Sequence, residues 1–404
     1  MPIVIAIAIG AALWWGLAFE QASATHHALA TFLWGAHPPA TPIAAACIIA
    51  ASVLIIACPC AMGLATPAAI MAGANAASTR GILIRDGIAL EKAGEITTVL
   101  FDKTGTLTVG KPTVTEHQAY GDPGSIPLAA ALAAQSNHPL SEAIAALPRA
   151  DASFDEWREL RGAGIEARHG RRVLRLGSLK WLESSGVDIA ATKDFAGAWF
   201  NAGATVVAFA VDQQLAAAFA LKDAVKPGAR EMVGDLQRAG LHTWMITGDN
   251  SRTAVSIAQQ VGIAGDHVFA EVAPEKKAGI VADLQRRGEP VAFVGDGIND
   301  APALEQADLS IAVSRASDIA REAADIILLK SDIEAVPESI GLARATLRTI
   351  KQNLFWAFFY NAAAIPLAVF GFMSPVLCAA AMGLSDIVVI GNALRLRRWK
   401  FRRV

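Results

Sequence analysis

Four long stretches of the chain are almost purely apolar. Pro2 to Phe19 and Pro42 to Ala65 carry no charged residue, and Leu354 to Phe372 and Ser374 to Leu394 form a second pair near the C-terminus. Each stretch is long enough to cross the roughly 30 Å hydrocarbon core of a bilayer. The pattern therefore predicts four membrane-spanning helices, arranged as two hairpins.

The charges that flank these stretches predict their orientation. The segment from Glu20 to Thr41 carries no Lys or Arg, whereas Lys351 precedes the second hairpin and a basic cluster follows it. That cluster consists of Arg395, Arg397, Arg398, Lys400, Arg402 and Arg403. Because Lys and Arg favour the cytoplasmic side, we predict an external loop at Glu20 to Thr41 and a cytoplasmic C-terminus. The expected location is the plasma (inner) membrane, with lipid as a partner and the basic cluster near anionic headgroups.

Between the hairpins, Arg80 to Ile350 alternates strand-like and helix-like patterns, which is typical of an α/β domain. The whole chain is 53% hydrophobic and 18% charged, a composition that fits a protein with both membrane and aqueous parts. The net charge of -2 and the lack of a basic stripe in the central region argue against nucleic acid as a partner. Four cysteines make no disulfide framework, so we expect free thiols.

The pentapeptide Asp102 to Thr106, Asp-Lys-Thr-Gly-Thr, follows the apolar run Val99 to Phe101. Such a run indicates a buried strand, and open α/β sheets carry their chemistry at the carboxyl ends of the strands. Asp102 is therefore predicted to be a nucleophile, with Lys103 and Thr104 placed to hold a phosphate group. A surface turn is the alternative, but five specified residues rarely occur together by chance.

Three further segments supply residue types that phosphoryl transfer needs: small turn residues, a hydroxyl, a lysine and carboxylates. These segments are Thr247-Gly248-Asp249, Pro274-Glu275-Lys276 and Gly295 to Asp300, which includes Asp296.

We expect Mg²⁺ to lie between Asp102 and Asp296, with Thr104 as a further ligand. The Lys276 ammonium would relieve the repulsion between the attacking carboxylate and a γ-phosphate. Asp102 should be ionised at neutral pH and need no activating base. In the alternative interpretation, the loop carboxylates, including Asp300, are only turn and N-cap residues.

Cys58 and Cys60 flank Pro59 in the middle of the second apolar stretch. Proline removes a helix hydrogen bond and opens the turn, and such breaks at membrane depth usually line a cavity. Two thiolates there suit a soft cation such as Cu(I) rather than Mg²⁺ or Ca²⁺. The isolated Cys47 and Cys378 are interpreted as inert apolar residues.

The order of the motifs along the chain carries a family resemblance. The motifs are Cys58-Pro59-Cys60, Gly63 to Pro67, Asp102 to Thr106, His138-Pro139, Thr247 to Asp249 and Gly295 to Asp300. The chain resembles the copper(I) group of the heavy-metal-transporting P-type ATPases, whose phosphorylation core belongs to the haloacid dehalogenase superfamily. This resemblance implies a pump that phosphorylates its own aspartate from ATP, with Mg²⁺ as cofactor, and drives a transition-metal ion, here Cu(I), across the membrane.

The resemblance also implies a domain organisation. Residues 1–79 would hold two membrane helices with the cysteine pair, and residues 341–404 two more with the basic tail. Residues 80–110 and 223–340 would form a haloacid dehalogenase-like phosphorylation domain. Residues 111–222 would form an inserted α+β nucleotide-binding domain. The expected fold class is thus α-helical membrane spans with an α/β cytoplasmic headpiece.

The resemblance implies nucleotide contacts at His138, Pro139, Gly162, Gly164 and Asn299. His138 would lie against adenine, and the two glycines would let backbone approach the nucleotide. The family commonly carries a Glu five residues before this histidine, whereas this chain has Ala133. That departure puts the usual contact with the adenine edge in doubt.

The last two apolar stretches bear on the identity of the ion. Residues that resemble the copper pattern there are Tyr360, Asn361, Met382 and Ser385. Asp386 departs from it, because the copper group usually has a second Ser at that position, and the carboxylate could pair with a proton, a cation or a neighbouring helix. In the external loop, His26, His27 and His37 could receive released metal, although polar filler is the more ordinary interpretation.

The sequence contains no Thr-Gly-Glu motif, which the family carries in an actuator domain before the point where this chain begins. We therefore expect the C-terminal half of a pump, with the N-terminal half and a metallochaperone as further partners. Two other functions remain open at this stage. One is a membrane-anchored phosphatase with the same aspartate chemistry, and the other is a non-catalytic membrane protein that binds metal.

Overall fold

The computed structural model describes residues 2–160, 162–296, 300–313, 322–329 and 333–401. The chain divides into two compact units, one formed by Met1–Arg80 with Gly341–Phe401 and the other by Gly81–Ile340 with Arg402–Val404. The described helices are α1 (Pro2–Leu17), α2 (Phe19–Ala30), α3 (Pro42–Ile56), α4 (Cys60–Ser78), α5 (Gly87–Glu95), α6 (Ser125–Ala133), α7 (Pro139–Ala145), α8 (Leu179–Ser184), α9 (Lys193–Asn201), α10 (Ala229–Arg238), α11 (Ser251–Val261), α12 (Lys277–Arg286), α13 (Ala301–Gln306), α14 (Ala335–Val369) and α15 (Pro375–Leu394).

The described strands fall into two sheets, both in the second unit. They are β1 (Ile82–Ile84), β2 (Thr98–Asp102), β3 (Thr113–Ala119), β4 (Asp155–Leu160), β5 (Gly164–His169), β6 (Arg172–Ser178), β7 (Thr205–Val211), β8 (Gln214–Lys222), β9 (His242–Ile246), β10 (Val268–Phe269), β11 (Val291–Gly295), β12 (Leu309–Ala312) and β13 (Ile326–Leu328).

The first unit is a bundle of apolar helices. Thr41 caps α3 by accepting a 3.4 Å hydrogen bond from the Ala44 amide, and Pro42 occupies the first turn, where its missing N–H costs nothing. The helix ends at Ile56, and α4 begins at Cys60 with Pro59 at its N-cap. The expected break at Pro59 is therefore present, because a proline inside a helix leaves a carbonyl without its donor.

By length and composition, two helical segments of the described chain could cross a membrane. They are Pro42–Ser78, which contains the break, and Pro375–Arg398, and the bent pair α1 and α2 adds a third if it counts as one span. The predicted span Leu354 to Phe372 begins inside α14 and ends three residues after it. Helix α14 is not among the helices that are long and apolar enough to cross a membrane. Polar residues such as Asn353 and Asn361 interrupt the apolar part of that helix.

The predicted external segment, Glu20 to Thr41, is partly helical. Phe19–Ala30 forms α2, at an angle of 106° to α1. His26 on α2 is buried, and its two ring nitrogens lie 2.9 Å and 3.1 Å from the carbonyl oxygens of Phe370 and Ala36. His26 is therefore a buried packing residue whose ring lies against two backbone carbonyls, whereas His27 and His37 are exposed.

The larger sheet positions the candidate site. Its seven strands run in the order β1-β13-β12-β11-β2-β9-β10. Every pairing is parallel except that of β1 with β13. Strands β2 and β11 are buried along their whole length, as expected for a parallel sheet covered on both faces. Because β9, β2 and β11 are neighbours, the loops after Ile246, Asp102 and Gly295 meet at one edge.

The smaller sheet is antiparallel, with six strands in the order β3-β8-β7-β6-β5-β4. Helices α6 and α7 cover a core that contains Leu132, Ile144, Phe209 and Phe219. Thr113 at the start of this segment pairs with Lys222 at its end. The two ends of the segment therefore lie next to each other, which is the arrangement that the predicted insertion of residues 111–222 requires.

Candidate active site

Asp102 is the last residue of β2, so its side chain emerges at the carboxyl end of a central strand. It is 5% exposed, and its Oδ1 accepts a 2.7 Å hydrogen bond from Nζ of Lys277. The same ammonium donates a 2.6 Å hydrogen bond to Oδ1 of Asp300. One buried cation thus links the predicted nucleophile to a carboxylate from the loop after β11.

The prediction that Lys276 supplies this ammonium was wrong. Lys276 is exposed in a short turn, Pro274–Lys276, whereas Lys277 is buried at the first position of α12. Successive residues of a helix point about 100° apart, so a shift by one residue moves the side chain from solvent to the site. The sequence offers two adjacent lysines, and only the helix phase distinguishes them.

The turn after Asp102 is built around Gly105, whose φ is 73°. A Cβ atom placed on Gly105 would lie 1.7 Å from Oδ2 of Asp296, so only glycine permits the approach of this carboxylate. Lys226 donates a hydrogen bond to the Gly105 carbonyl oxygen. The glycine of the pentapeptide therefore has a steric role, which is to let the loops after β2 and β11 touch.

The carboxylates of Asp102, Asp296 and Asp300 form an acidic cluster in which one oxygen of each lies within 4.8 Å of the others. Burial raises the pKa of the Asp102 carboxyl to about 7, with a further contribution from Asp300, while Lys277 opposes the rise. Burial and the charge of Asp300 likewise raise the pKa of Asp296 to about 6. Burial alone would lower the pKa of Lys277, but the charges of Asp102 and Asp300 raise it above its usual range.

These shifts bear on the expectation that Asp102 is ionised at neutral pH, because they show which neighbours oppose and which support its charge. Burial and the charge of Asp300 favour the protonated form of Asp102 and raise its pKa, so its ionised form depends on Lys277 and on a bound cation. A divalent cation would favour the ionised forms, since it lies between like charges. The donors are all carboxylate oxygens, which suit Mg²⁺, so the cluster fits the expected ion.

Lys103 and Asp249 form an ion pair between the loops after β2 and β9. The Thr247 hydroxyl accepts a 3.1 Å hydrogen bond from the Asp249 amide, and Gly248 lies between them. Thr104 is exposed and is the neighbour of Gly105 in the turn. The structure thus brings Lys103 and Asp249 into contact at the edge where Asp102 lies, while the roles predicted for them, and for Thr104 and Thr247, stay predictions.

Sequence reasoning missed Asp223. Its carboxylate accepts hydrogen bonds from the Thr108 hydroxyl (2.5 Å), the Gly110 amide (3.0 Å) and the Lys111 amide (3.2 Å). It thereby links the segment from Thr108 to Lys111 with the residue that follows β8, so the two chain segments between the larger and the smaller sheet are held together. The nearest signal in the sequence is Lys222-Asp223 at the predicted domain boundary, which does not reveal the partner 115 residues away.

The predicted nucleotide contacts lie in the inserted domain, with one exception. His138 is exposed at the N-cap of α7, where its Nδ1 accepts a 3.2 Å hydrogen bond from the Leu140 amide, and Pro139 follows it. Gly162 has a φ of 72°, and among the described residues beyond its chain neighbours no atom lies within 4 Å of an added Cβ. At Gly164 a Cβ atom would lie 2.2 Å from the Leu176 carbonyl oxygen. The close approach of β5 to β6 is therefore enough to require glycine at this position. Asn299 lies outside the described residues.

A second candidate site lies in the helical unit, where the break between α3 and α4 faces α14 and α15. The break lines a cavity of about 30 Å³. All the ion-binding residues predicted from the sequence line it: Cys58, Cys60, Tyr360, Asn361, Met382 and Ser385. Asn361 Nδ2 also donates a 3.5 Å hydrogen bond to the Cys58 carbonyl oxygen, which the broken helix leaves available.

Cys58 and Cys60 are joined by a disulfide bond, which corrects the expectation of free thiols at this pair. The break in the helix places their Cα atoms 5.5 Å apart, a separation that disulfides commonly span. Thiolate binding of an ion at this pair therefore requires its reduction. Cys47 and Cys378 are free, as expected.

A family model described as haloacid dehalogenase-like hydrolase matches residues 96–308, and a second with the same description matches residues 279–340. The chain therefore belongs to the haloacid dehalogenase-like hydrolases. Within that family, the expected resemblance to metal-transporting P-type ATPases is confirmed by individual relatives.

The chain is 45% identical to the probable copper-transporting ATPase PacS of Synechococcus elongatus over 372 residues, which cover 88% of this chain and 50% of that protein. It is 42% identical to a copper-exporting P-type ATPase of Staphylococcus epidermidis, over 88% of this chain and 45% of the relative. A zinc-transporting PIB-type ATPase of known crystal structure matches 98% of this chain and 62% of its own, with 33% identity and a TM-score of 0.71. The chain thus spans about half the length of these curated relatives.

Proposed function

We propose that this chain takes part in ATP-driven transport of a transition-metal ion, with Cu(I) as the cargo, through an aspartyl phosphate formed on Asp102. The observation that carries the proposal is the arrangement of Asp102 with Lys277, Asp296 and Asp300 at the carboxyl end of β2. The copper-transporting relatives support the choice of ion, since their similarity extends over most of this chain.

In the proposed reaction, a carboxylate oxygen of Asp102 attacks the γ-phosphorus of ATP, the bond to the bridging oxygen breaks, and ADP leaves. Lys277 lies 2.7 Å from the attacking carboxylate, where its charge reduces the repulsion between two anions. Mg²⁺ bound by Asp102 and Asp296 would supply further neutralisation of the transferred phosphoryl group. Lys103, Thr104 and Thr247 would bind the phosphate oxygens from the adjoining loops.

The inserted domain would deliver the nucleotide. His138 is exposed and has one ring nitrogen held by the Leu140 amide, which fixes the orientation of the imidazole. A flat ring held in this way can stack on adenine. Gly162, which has no described non-neighbouring atom within 4 Å of an added Cβ, would allow the backbone to approach the nucleotide.

In the membrane unit, the reduced Cys58 and Cys60 would bind Cu(I), with Met382 as a third sulfur donor in the same cavity. We place the α/β unit in the cytoplasm and the helical unit in the plasma (inner) membrane, because the basic residues lie on that side of the predicted spans. Membrane lipid and a metallochaperone are the partners that fit this arrangement.

The test is phosphorylation of the purified, reduced chain by labelled ATP with Mg²⁺, in the presence and absence of Cu(I). We expect an acid-stable, hydroxylamine-sensitive phosphoprotein whose amount rises with Cu(I). The Cys58→Ser/Cys60→Ser variant should lose the response to Cu(I), whereas Cys47→Ser, at an exposed thiol outside the cavity, should keep it. An equal response in the double variant would reject Cu(I) as the ion that the cavity binds.

A further inference from the structure

A chain of side-chain hydrogen bonds links the helices α15, α14 and α4. Nδ2 of Asn392 on α15 donates a 2.9 Å hydrogen bond to Oδ1 of Asn353 on α14. Nδ2 of Asn353 in turn donates a 3.3 Å hydrogen bond to the carbonyl oxygen of Ala65 on α4. Asn353 and Ala65 are both buried. A single buried carboxamide, that of Asn353, therefore joins three helices.

The partners fix the orientation of the Asn353 carboxamide. A backbone carbonyl oxygen can only accept, so the amide nitrogen must face Ala65 and the amide oxygen must face Asn392. Oδ1 of Asn392 accepts a 3.1 Å hydrogen bond from Nη1 of Arg395, and a guanidinium can only donate, so the Asn392 carboxamide is oriented as well. Every bond in the chain thus runs in one direction, from the end of α15 towards α4.

The first two turns of α4 need support from outside the helix. Pro59 occupies the N-cap and has no polar side chain to cap it, and Pro67 lies inside the helix. Because proline has no N–H, the Gly63 carbonyl oxygen lacks the donor that a regular helix would provide. Residues 60–66, which begin with Cys60, are therefore bounded by a proline on each side. Such a segment depends on neighbouring helices to keep its position.

Helix α14 supplies that support at both ends of the segment. Asn361 donates a 3.5 Å hydrogen bond to the Cys58 carbonyl oxygen just before the segment, and Asn353 holds the Ala65 carbonyl oxygen near its end. The two asparagines are eight residues apart, a little over two helical turns. The two hydrogen bonds therefore bracket the part of α4 that carries Cys60.

We infer that Asn353 is a positioning residue for the candidate ion site: together with Asn392 it holds residues 60–66 of α4 in place, and thereby holds Cys60 at the cavity. The described lining of the cavity includes Asn361 but neither Asn353 nor Asn392. Both residues therefore act on an ion only through the helix. The inference rests on the proposed transport function for its consequence at the ion, whereas the positioning of the helix is independent of any ion.

The effect of losing this hydrogen bond should be local. Ala69, Ile350 and Ala393 come from the same three helices and pack together in an apolar core. That core lies beyond Pro67 along α4 and does not use the Asn353 carboxamide. The helices should therefore stay packed without it, while residues 60–66 become more mobile. A buried hydrogen bond whose partner is removed is costly, so the change should be measurable.

The experiment measures hydrogen–deuterium exchange and Cu(I) affinity for the reduced chain in detergent. Asn353→Leu keeps a similar side-chain volume and removes both hydrogen bonds of the carboxamide, whereas Asn392→Leu removes only the one that orients it. Asn75→Leu, at an exposed asparagine on the same helix α4, is the matched control. Mass spectrometry of peptides reports exchange by segment, and competition with a Cu(I) chelator reports affinity.

We expect Asn353→Leu to accelerate exchange in residues 60–66 and to weaken Cu(I) binding by about tenfold each, the scale of a lost buried hydrogen bond. Exchange in residues 2–30 and in the α/β unit should stay within about twofold of the parent. Asn392→Leu should change the same segment in the same direction by a smaller factor, and Asn75→Leu should match the parent.

Unchanged exchange in residues 60–66 of Asn353→Leu, or acceleration spread over the whole helical unit, would overturn the inference. Local acceleration with unchanged Cu(I) affinity would also overturn it, because the ion site would then not depend on Asn353. A parent that binds no Cu(I) would instead count against the proposed function, and the exchange data would then decide the inference alone.

Discussion

Nζ of Lys277 lies 2.7 Å from Oδ1 of Asp102, although the two residues are 175 positions apart in the chain. Both side chains are buried, and the same ammonium also holds Asp300. Removal of one partner from such a group leaves uncompensated buried charge, which typically costs about 3–5 kcal/mol. Lys277 is therefore expected to contribute both to the stability of the site and to its chemistry.

The adjacent lysines offer a matched pair of variants. We expect Lys277→Met to reduce the rate of phosphorylation by ATP at least about a hundredfold, the scale observed when one preorganised donor is removed from a transition state. Lys276→Met, at the exposed neighbour, should leave the rate within about twofold. Thermal unfolding shows whether each variant is folded. Similar losses in the two variants would refute the assignment of Lys277.

Gly105 provides a second test, because it has both a positive φ and a close contact with Asp296. Gly105→Ala should abolish phosphorylation and weaken Mg²⁺ binding, since the new methyl group occupies the place of the carboxylate. The control is Gly288→Ala, where φ is 83° but no atom of the described chain, apart from its neighbours in sequence, lies within 4 Å of the added Cβ. That variant should lose only about 1 kcal/mol of folding free energy through backbone strain and keep the activity. Normal Mg²⁺ binding by Gly105→Ala would contradict the steric argument.

Mg²⁺ binding should depend on pH. The pKa values of Asp102 and Asp296 are raised to about 7 and about 6 in the absence of a cation. Below these values the carboxyls are protonated and Mg²⁺ must displace protons, so its apparent affinity should fall at least tenfold from about pH 8 to about pH 5.5. Calorimetric titration measures this change. Asp296→Asn should flatten the profile, whereas Asp235→Asn, at a buried carboxylate on α10, should not. A flat profile in the parent would argue against the cluster as the Mg²⁺ site.

ATP binding is predicted to depend on His138. We expect His138→Ala to weaken binding of ATP to the full chain by about tenfold, the effect of losing one aromatic contact of about 1–1.5 kcal/mol. His117→Ala, at an exposed histidine on β3, serves as the control and should bind normally. Titration with a fluorescent ATP analogue measures both. Unchanged affinity in His138→Ala would remove this residue from the nucleotide site.

The sequence was sufficient for those parts of the site that depend on local pattern. Val99 to Phe101 predicted a buried strand, and the structure ends β2 at Asp102. Proline in an apolar stretch predicted an opened helix, and α3 and α4 are separated at Pro59. The expected fold class is confirmed by the family match and by the zinc-transporting structure.

Features that depend on the packing of distant segments could not be predicted in the same way. The choice between Lys276 and Lys277 depends on where α12 begins relative to the sheet. The contact between Gly105 and Asp296 depends on β2 and β11 being neighbours, which is a property of topology. The lack of a hydrogen-bond partner for the buried Oδ1 of Asp386 among the described residues becomes visible only once α15 is placed against the helix break.

The central claim is that Asp102 receives the γ-phosphate of ATP, and the most direct measurement is mass spectrometry of the borohydride-reduced protein after reaction with ATP and Mg²⁺. Reduction converts an aspartyl phosphate to homoserine, which marks the modified residue in the peptide. We predict homoserine at position 102 in the parent and none in Asp102→Asn. Homoserine at another aspartate, or an unmodified Asp102 in a chain that still hydrolyses ATP, would contradict the account.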